Sequence, residues 1–170
     1  MKKFFITCGL VALLGSFASC ENAEYQPLDN SLYISEAYSG VTKNVFITKE
    51  GAQTIVSVRT AQPAAQQLNV ELGISQSTLD WYKNRYKQDS LVMLDPSEYT
   101  VSTTSLTIEA GQTASTQILV TIAPSVFDKL DDDVQYVIPF TIKSVSPTGI
   151  LVQEALQNFI LVCAEEEKKS

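Results

Sequence analysis

The residues best suited to chemistry gather between positions 81 and 86, where Trp81, Tyr82, Arg85 and Tyr86 stand almost side by side. Flat aromatic rings stack on the apolar faces of sugars, and Trp and Tyr offer large amphipathic contact areas at low entropic cost. The chemistry on offer is therefore recognition rather than bond making. Read as a helix, Trp81 and Arg85 lie at i and i+4 on the face away from Leu79 and Tyr86. These two are the candidate ligand-binding residues. Periodicity assigns Tyr82 and Tyr86 to the core. It leaves Trp81 between packing, the usual fate of a large aromatic, and an exposed stacking platform.

Catalytic chemistry is poorly provided for. The sequence has no histidine, which removes the commonest general base, metal ligand and near-neutral pH switch together. A nucleophilic serine would lack its base, and no Gly-x-Ser-x-Gly motif occurs. Glycoside hydrolysis needs two converging carboxylates, one with a raised pKa. The acids here sit at turns, as Glu50, Asp95 and Glu98 do, or in the run Asp131-Asp132-Asp133. That run lacks the alternating spacing and glycine of a calcium loop and reads as a solvated turn. The expectation is no enzyme, no catalytic residue, no metal site and no cofactor.

The elements that would position the aromatic cluster are mostly strands. Period-two alternation runs through residues 53–60, 68–75, 118–122 and 136–142. Thr54, Val56, Val58 and Thr60 share a face opposite Ile55, Ser57 and Arg59. Leu68, Val70, Leu72 and Ile74 share a face, as do Ile118, Val120 and Ile122, and Tyr136, Ile138, Phe140 and Ile142. Each strand turns one side to a core and one toward water. Shorter strand candidates are 32–36, 44–48, 105–109, 150–152 and 159–163, punctuated by turn signals at 49–51, 110–112 and 146–149. Many short strands with regular turns indicate a β-sandwich. Pro139 cannot donate to a ladder, so its strand is expected at a sheet edge or at a bulge. One helix over 77–87, capped by Ser77 or Thr78, breaks the series. A second short turn is expected over 125–130.

The N-terminus says where the protein goes. Lys2 and Lys3 precede an apolar stretch from Phe4 to Leu14, and small residues lead directly to Cys20. This is the order of a secretion signal, with the cysteine placed where a lipoprotein is cut and acylated. The apolar run is too short to span a bilayer, which takes about 20 residues. Residues 1–19 are thus the signal peptide, 20–30 a polar tether, 31–164 one domain and 165–170 a charged tail. Cleavage leaves Cys163 as the only cysteine besides the acylated Cys20. It lies in an apolar run and reads as a small buried hydrophobe, with no internal disulfide available. The formal charge of −7 and the lack of a basic cluster argue against nucleic-acid binding.

The order of motifs resembles a domain of unknown function in Bacteroidetes surface lipoproteins, also found as the N-terminal module ahead of certain family-18 endo-glycosidases. The matching stretches are residues 32–37, 79–84 with Tyr82, 94–99, 106–111 and 135–140. The acidic Glu21 and Glu24 after Cys20 also resemble the export signals of such lipoproteins. The resemblance implies an Ig-like sandwich, a lipid anchor in the outer membrane with exposure at the cell surface, and a link to glycan use. Family members often carry a second domain after this module, and with this sequence ending at Ser170 the sandwich is expected to act alone. The whole reading is an all-β, Ig-like β-sandwich with one short inserted helix, preceded by a lipoprotein signal peptide and tether. Its expected role is a non-catalytic binding or interaction module accessory to glycan capture or to a glycan-uptake complex. The alternative is a structural or adhesive, pilus-like subunit. Pilins of that group are processed at an arginine near the N-terminus, whereas the first arginine here is Arg59, inside a strand.

Overall fold

A computed structural model describes residues 31–130 and 133–165. Cys20, the signal peptide and tether, Asp131, Asp132 and the tail beyond Glu165 lie outside the described residues. The chain runs β1 (Leu32–Ile34), β2 (Thr42–Ile47), β3 (Ala52–Val56), β4 (Val58–Thr60), β5 (Leu68–Ile74), α1 (Gln76–Tyr86), β6 (Leu91–Met93), β7 (Tyr99–Val101), β8 (Ser105–Ile108), β9 (Ile118–Ile122), β10 (Gln135–Ser146) and β11 (Asn158–Glu165). Short 3-10 turns cover Glu36–Tyr38, Pro96–Glu98, Pro124–Lys129 and Glu154–Leu156.

The fold is all-β and sandwich-like. One sheet has the order β2-β11-β10-β5-β8, with β6 added beside β10. Against its inner face lie a β1-β4 pair and a β3-β9-β7 sheet. A single core joins them, with Val45, Phe140, Phe159, Leu161, Leu72 and Leu106 from the large sheet and Ile34, Val58, Val56, Ile118 and Val120 from the smaller ones. The expected alternation holds in β5 and β9, where Leu68, Val70 and Leu72, and Ile118, Val120 and Ile122, are all buried. Burying one such side chain stabilises by roughly 1.5–3 kcal/mol.

Four expectations need correction. The strand read over 53–60 keeps its facing, since Val56, Val58 and Thr60 are buried and Ile55 and Arg59 exposed. It nevertheless splits at Ser57, so that β3 and β4 enter different sheets. The Ser57 N–H donates to Glu36 Oε2 at 3.1 Å, and its hydroxyl donates to Ser35 Oγ at 3.0 Å. Those bonds from a distant turn replace a ladder partner. At 150–152 there is no strand, only a bridge between Leu32 and Val152. The helix spans Gln76–Tyr86, one residue earlier at each end than read, and is capped by Ser75 rather than Ser77 or Thr78; the Ser75 Oγ accepts from the Thr78 N–H at 3.4 Å.

The fourth correction is Pro139, which is interior rather than at an edge. It stands opposite Ile160 of β11, whose own N–H points the other way, to the Val41 carbonyl at 2.8 Å. Pro139 is therefore in a non-hydrogen-bonded pair, and its missing N–H would have faced the opposite side of β10. On that side β10 changes partner. It pairs with β6 up to Val137 and with β5 from Phe140 onward. The proline occupies the gap, where no ladder donor is required. A bulge does occur in β10, between Ile142 and Ser144, but Pro139 is not in it.

The helix exists because β10 and β11 are apolar on both faces. On the outer face Val137, Ile160 and Val162 form a second cluster with Leu79 of α1 and Leu91 of β6, and Tyr82 and Met93 pack beside it. Lys83 Nζ ties the helix to β6 by donating to the Leu91 carbonyl at 3.1 Å. Cys163 is buried, as read from sequence. Burial, with Glu98 nearby, pushes its thiol pKa up to about 12.

Leu79→Ala is expected to cost about 2–5 kcal/mol, the range for truncating a buried leucine, measured by denaturant unfolding. The raised Cys163 thiol yields a second expectation. Its stabilising protonated form is fully present below the unfolded pKa of about 8.5 and is lost as pH rises toward the folded value of about 12. Alkylation of the native protein at pH 8 should be slow and should become fast on unfolding. Stability should fall from about pH 9 upward, and less steeply in Cys163→Val.

Candidate functional site

Leu79 and Tyr82 anchor α1 to the outer face of β10 and β11, and helical spacing then sets where the remaining rings go. Trp81 is half-buried and belongs to neither core cluster. Tyr86 corrects the sequence reading, being 42% exposed rather than part of the core. It closes the helix, beyond the apolar patch that receives Leu79, and its ring lies against Tyr82 instead (centroids 4.6 Å apart). The Trp81 and Tyr86 rings meet edge to face at 6.3 Å and 82°. Such pairs contribute roughly 0.5–1.5 kcal/mol beyond area burial. The Arg85 guanidinium lies 6.0 Å from the Trp81 centroid and 5.8 Å from that of Tyr86. Trp81, Arg85 and Tyr86 thus make one wall, a corner of two rings that holds a cation.

The facing wall was not read from the sequence. It is the segment 151–157, which contributes Leu151, Gln153, Glu154 and Gln157 to a cleft of ≈ 770 Å³ shared with the α1 wall and Val41. Ligand sites for small molecules commonly occupy about 300–1,000 Å³. Backbone bonds hold this wall in place. The Leu32 N–H donates to the Leu151 carbonyl at 2.8 Å, and the Gln153 N–H returns to the Leu32 carbonyl at 2.9 Å. At its far end the Ile142 N–H donates to the Gln157 carbonyl at 3.0 Å. Leu151 is 64% exposed at the rim. The only sequence signal for this wall was a short apolar run at 150–152, which was misread as a strand.

The acids suspected of turn roles have them. Asp95 accepts from the Ser97 N–H at 2.8 Å and the Ser97 hydroxyl at 2.7 Å, which lowers its pKa. Glu98 pairs with Lys129 at 2.6 Å, and Glu50 accepts from Thr48 Oγ1 at 2.9 Å. Glu71, on the outer face of β5, accepts from the Ser105 and Thr104 hydroxyls, and these bonds lower its pKa. Among the described residues no group of three or more His, Cys, Asp or Glu side chains could hold a metal ion. Nor is any helix there long and apolar enough to cross a membrane.

A protein family described as an N-terminal domain matches residues 25–149, and the chain belongs to that family. This agrees with the resemblance to N-terminal modules carried by the motifs. Comparison with curated proteins gives no match. Solved structures share the fold. A Bacteroides ovatus ATCC 8483 protein, provisionally named a carbohydrate-binding protein, matches at 18% identity and a TM-score of 0.63 over 81% of this chain and 38% of its own. EndoBT-3987 from Bacteroides thetaiotamicron, solved with a Man5GlcNAc product, matches at 18% identity and a TM-score of 0.57 over 79% of this chain and 30% of its own. A Bacteroides ovatus protein of unknown function matches at 13% identity and a TM-score of 0.61, over 82% and 48%. This chain therefore spans about 30–48% of the length of these proteins.

Proposed function

We propose that this chain is a non-catalytic binding module, an Ig-like sandwich that holds a glycan in the cleft between α1 and residues 151–157. The observation that carries the reading is the corner of Trp81 and Tyr86 with Arg85 between them, opposed by Gln153, Glu154 and Gln157 across ≈ 770 Å³. Rings supply the apolar platform for a sugar face, and the amide, guanidinium and carboxylate groups supply the hydrogen bonds its hydroxyls require. The provisional name of one structural relative and the glycan product bound to another support the same class of ligand. The placing of Asp95, Glu98, Glu50 and Glu71 in turn and strand contacts, and the membership of an N-terminal-domain family, support binding over catalysis.

The signal architecture supports a lipid anchor at Cys20, which would hold the module at the outer membrane and, through the tether, present it at the cell surface for glycan capture or within a glycan-uptake complex. The pilus-like alternative gains nothing from the fold. Arg59, the first arginine, pairs with Tyr33 inside the β1-β4 sheet, so processing there would cut a paired strand.

On a glycan array, the wild-type chain should bind and Trp81→Ala should lose most of the signal. Stability of that variant should stay within roughly 1–1.5 kcal/mol, the worth of an edge-to-face aromatic contact at a half-exposed site. A stability loss of about 3–5 kcal/mol, as for a core aromatic, or no glycan bound by wild type, would overturn the site. Metabolic labelling with a lipid precursor should mark the wild type and miss Cys20→Ala, and equal labelling of both would remove the anchor.

A further inference from the structure

The cleft contains two opposite charges that do not neutralise each other directly. Arg85 stands on the α1 wall and Glu154 on the facing wall, and the other lining residues are uncharged. Arg85 and Glu154, both described residues, form no ion pair with each other within 4.0 Å, so the two charges remain apart. Each has its own support. Arg85 is held over two rings, and Glu154 opens the 3-10 turn Glu154–Leu156, closed by the Leu156 N–H donating to the Gln153 carbonyl at 2.9 Å.

We infer that this pair makes the cleft selective for an uncharged saccharide, with Glu154 rejecting acidic sugars and Arg85 rejecting basic ones; the inference rests on the glycan reading above. A guanidinium only donates hydrogen bonds and a carboxylate only accepts them. A sugar hydroxyl does both, so neighbouring hydroxyls of one neutral ring satisfy both walls, and Gln153 and Gln157 serve either sense. A uronic acid would gain Arg85 but bring its carboxylate into the cleft that Glu154 also lines, and like charges brought together at a binding surface are costly. The acidity of the whole chain, −7, adds to that discrimination from a distance. An amino sugar meets the reverse problem at Arg85.

The test uses the full chain in detergent and an array carrying neutral, uronate-bearing, sulfated and amino-sugar oligosaccharides. The tightest neutral binder is then compared by calorimetry with its C6-oxidised counterpart, in which hydroxymethyl groups become carboxylates. Oxidation should weaken wild-type binding by at least about tenfold, a single like-charge contact at ordinary magnitude. Glu154→Gln should bring the two affinities to within about threefold of each other. Arg85→Gln should weaken the neutral ligand and leave the oxidised one excluded. If wild type prefers the oxidised or sulfated sugars, or if Glu154→Gln leaves the ratio unchanged, the selectivity inference fails while the glycan reading stands. If wild type binds no oligosaccharide at all, the glycan reading itself fails and takes the inference with it.

Discussion

The structure depends on one strand pair, β10 and β11, being buried on both faces. From Asn158 to Cys163 every residue of β11 is buried, and Phe159 to Cys163 is a continuous apolar run of the kind seen where a sheet is covered on both sides. The inner face meets the smaller sheets through Phe140, Phe159 and Leu161. The outer face would expose Val137, Ile160 and Val162 to water if α1 did not lie on it. The helix answers a hydrophobic demand set by these strands, and its own sequence contributes little beyond Leu79 and part of Tyr82.

Both walls of the cleft follow from that arrangement. With Leu79 and Tyr82 committed to the sheet, the helical repeat turns Trp81 and Arg85 outward, and the last turn carries Tyr86 past the apolar patch. The opposite wall is tied to the same strands, since β10 accommodates residue 157 through Ile142 and β11 holds Val41 through Ile160. The backbone of the proposed site is therefore held by elements already packed for stability, which limits the ordering that binding would require.

How far the sequence revealed this depended on the range of the interaction involved. Alternation in β5 and β9 was readable because each strand meets one core and one wet face. The break at Ser57 was hidden, for it depends on Glu36 and Ser35, distant in sequence and joined to it only by folding. Pro139 was misplaced because a rule about edges overlooks a central strand that changes neighbours midway. Tyr86 followed the helical repeat into the core on paper, but the repeat carries no information about where the underlying sheet ends. Trp81 and Arg85 could be paired from residue type and i, i+4 spacing alone, and both line the cleft. Glu154 and the glutamines facing them were missed, since nothing local distinguishes a cleft wall from an ordinary polar loop.

Trp81 is also the chain's single tryptophan. All of the protein's indole emission therefore originates at the cleft, from a ring that is half-buried, edge-on to a tyrosine and close to a guanidinium. Such a fluorophore responds to a change in its immediate polarity and to little that happens elsewhere in the sandwich. The molecule thus carries an optical reporter at its proposed binding surface, without label or mutation. Its spectrum separates events at that surface from events in the core, where tyrosine and phenylalanine are the only aromatic residues.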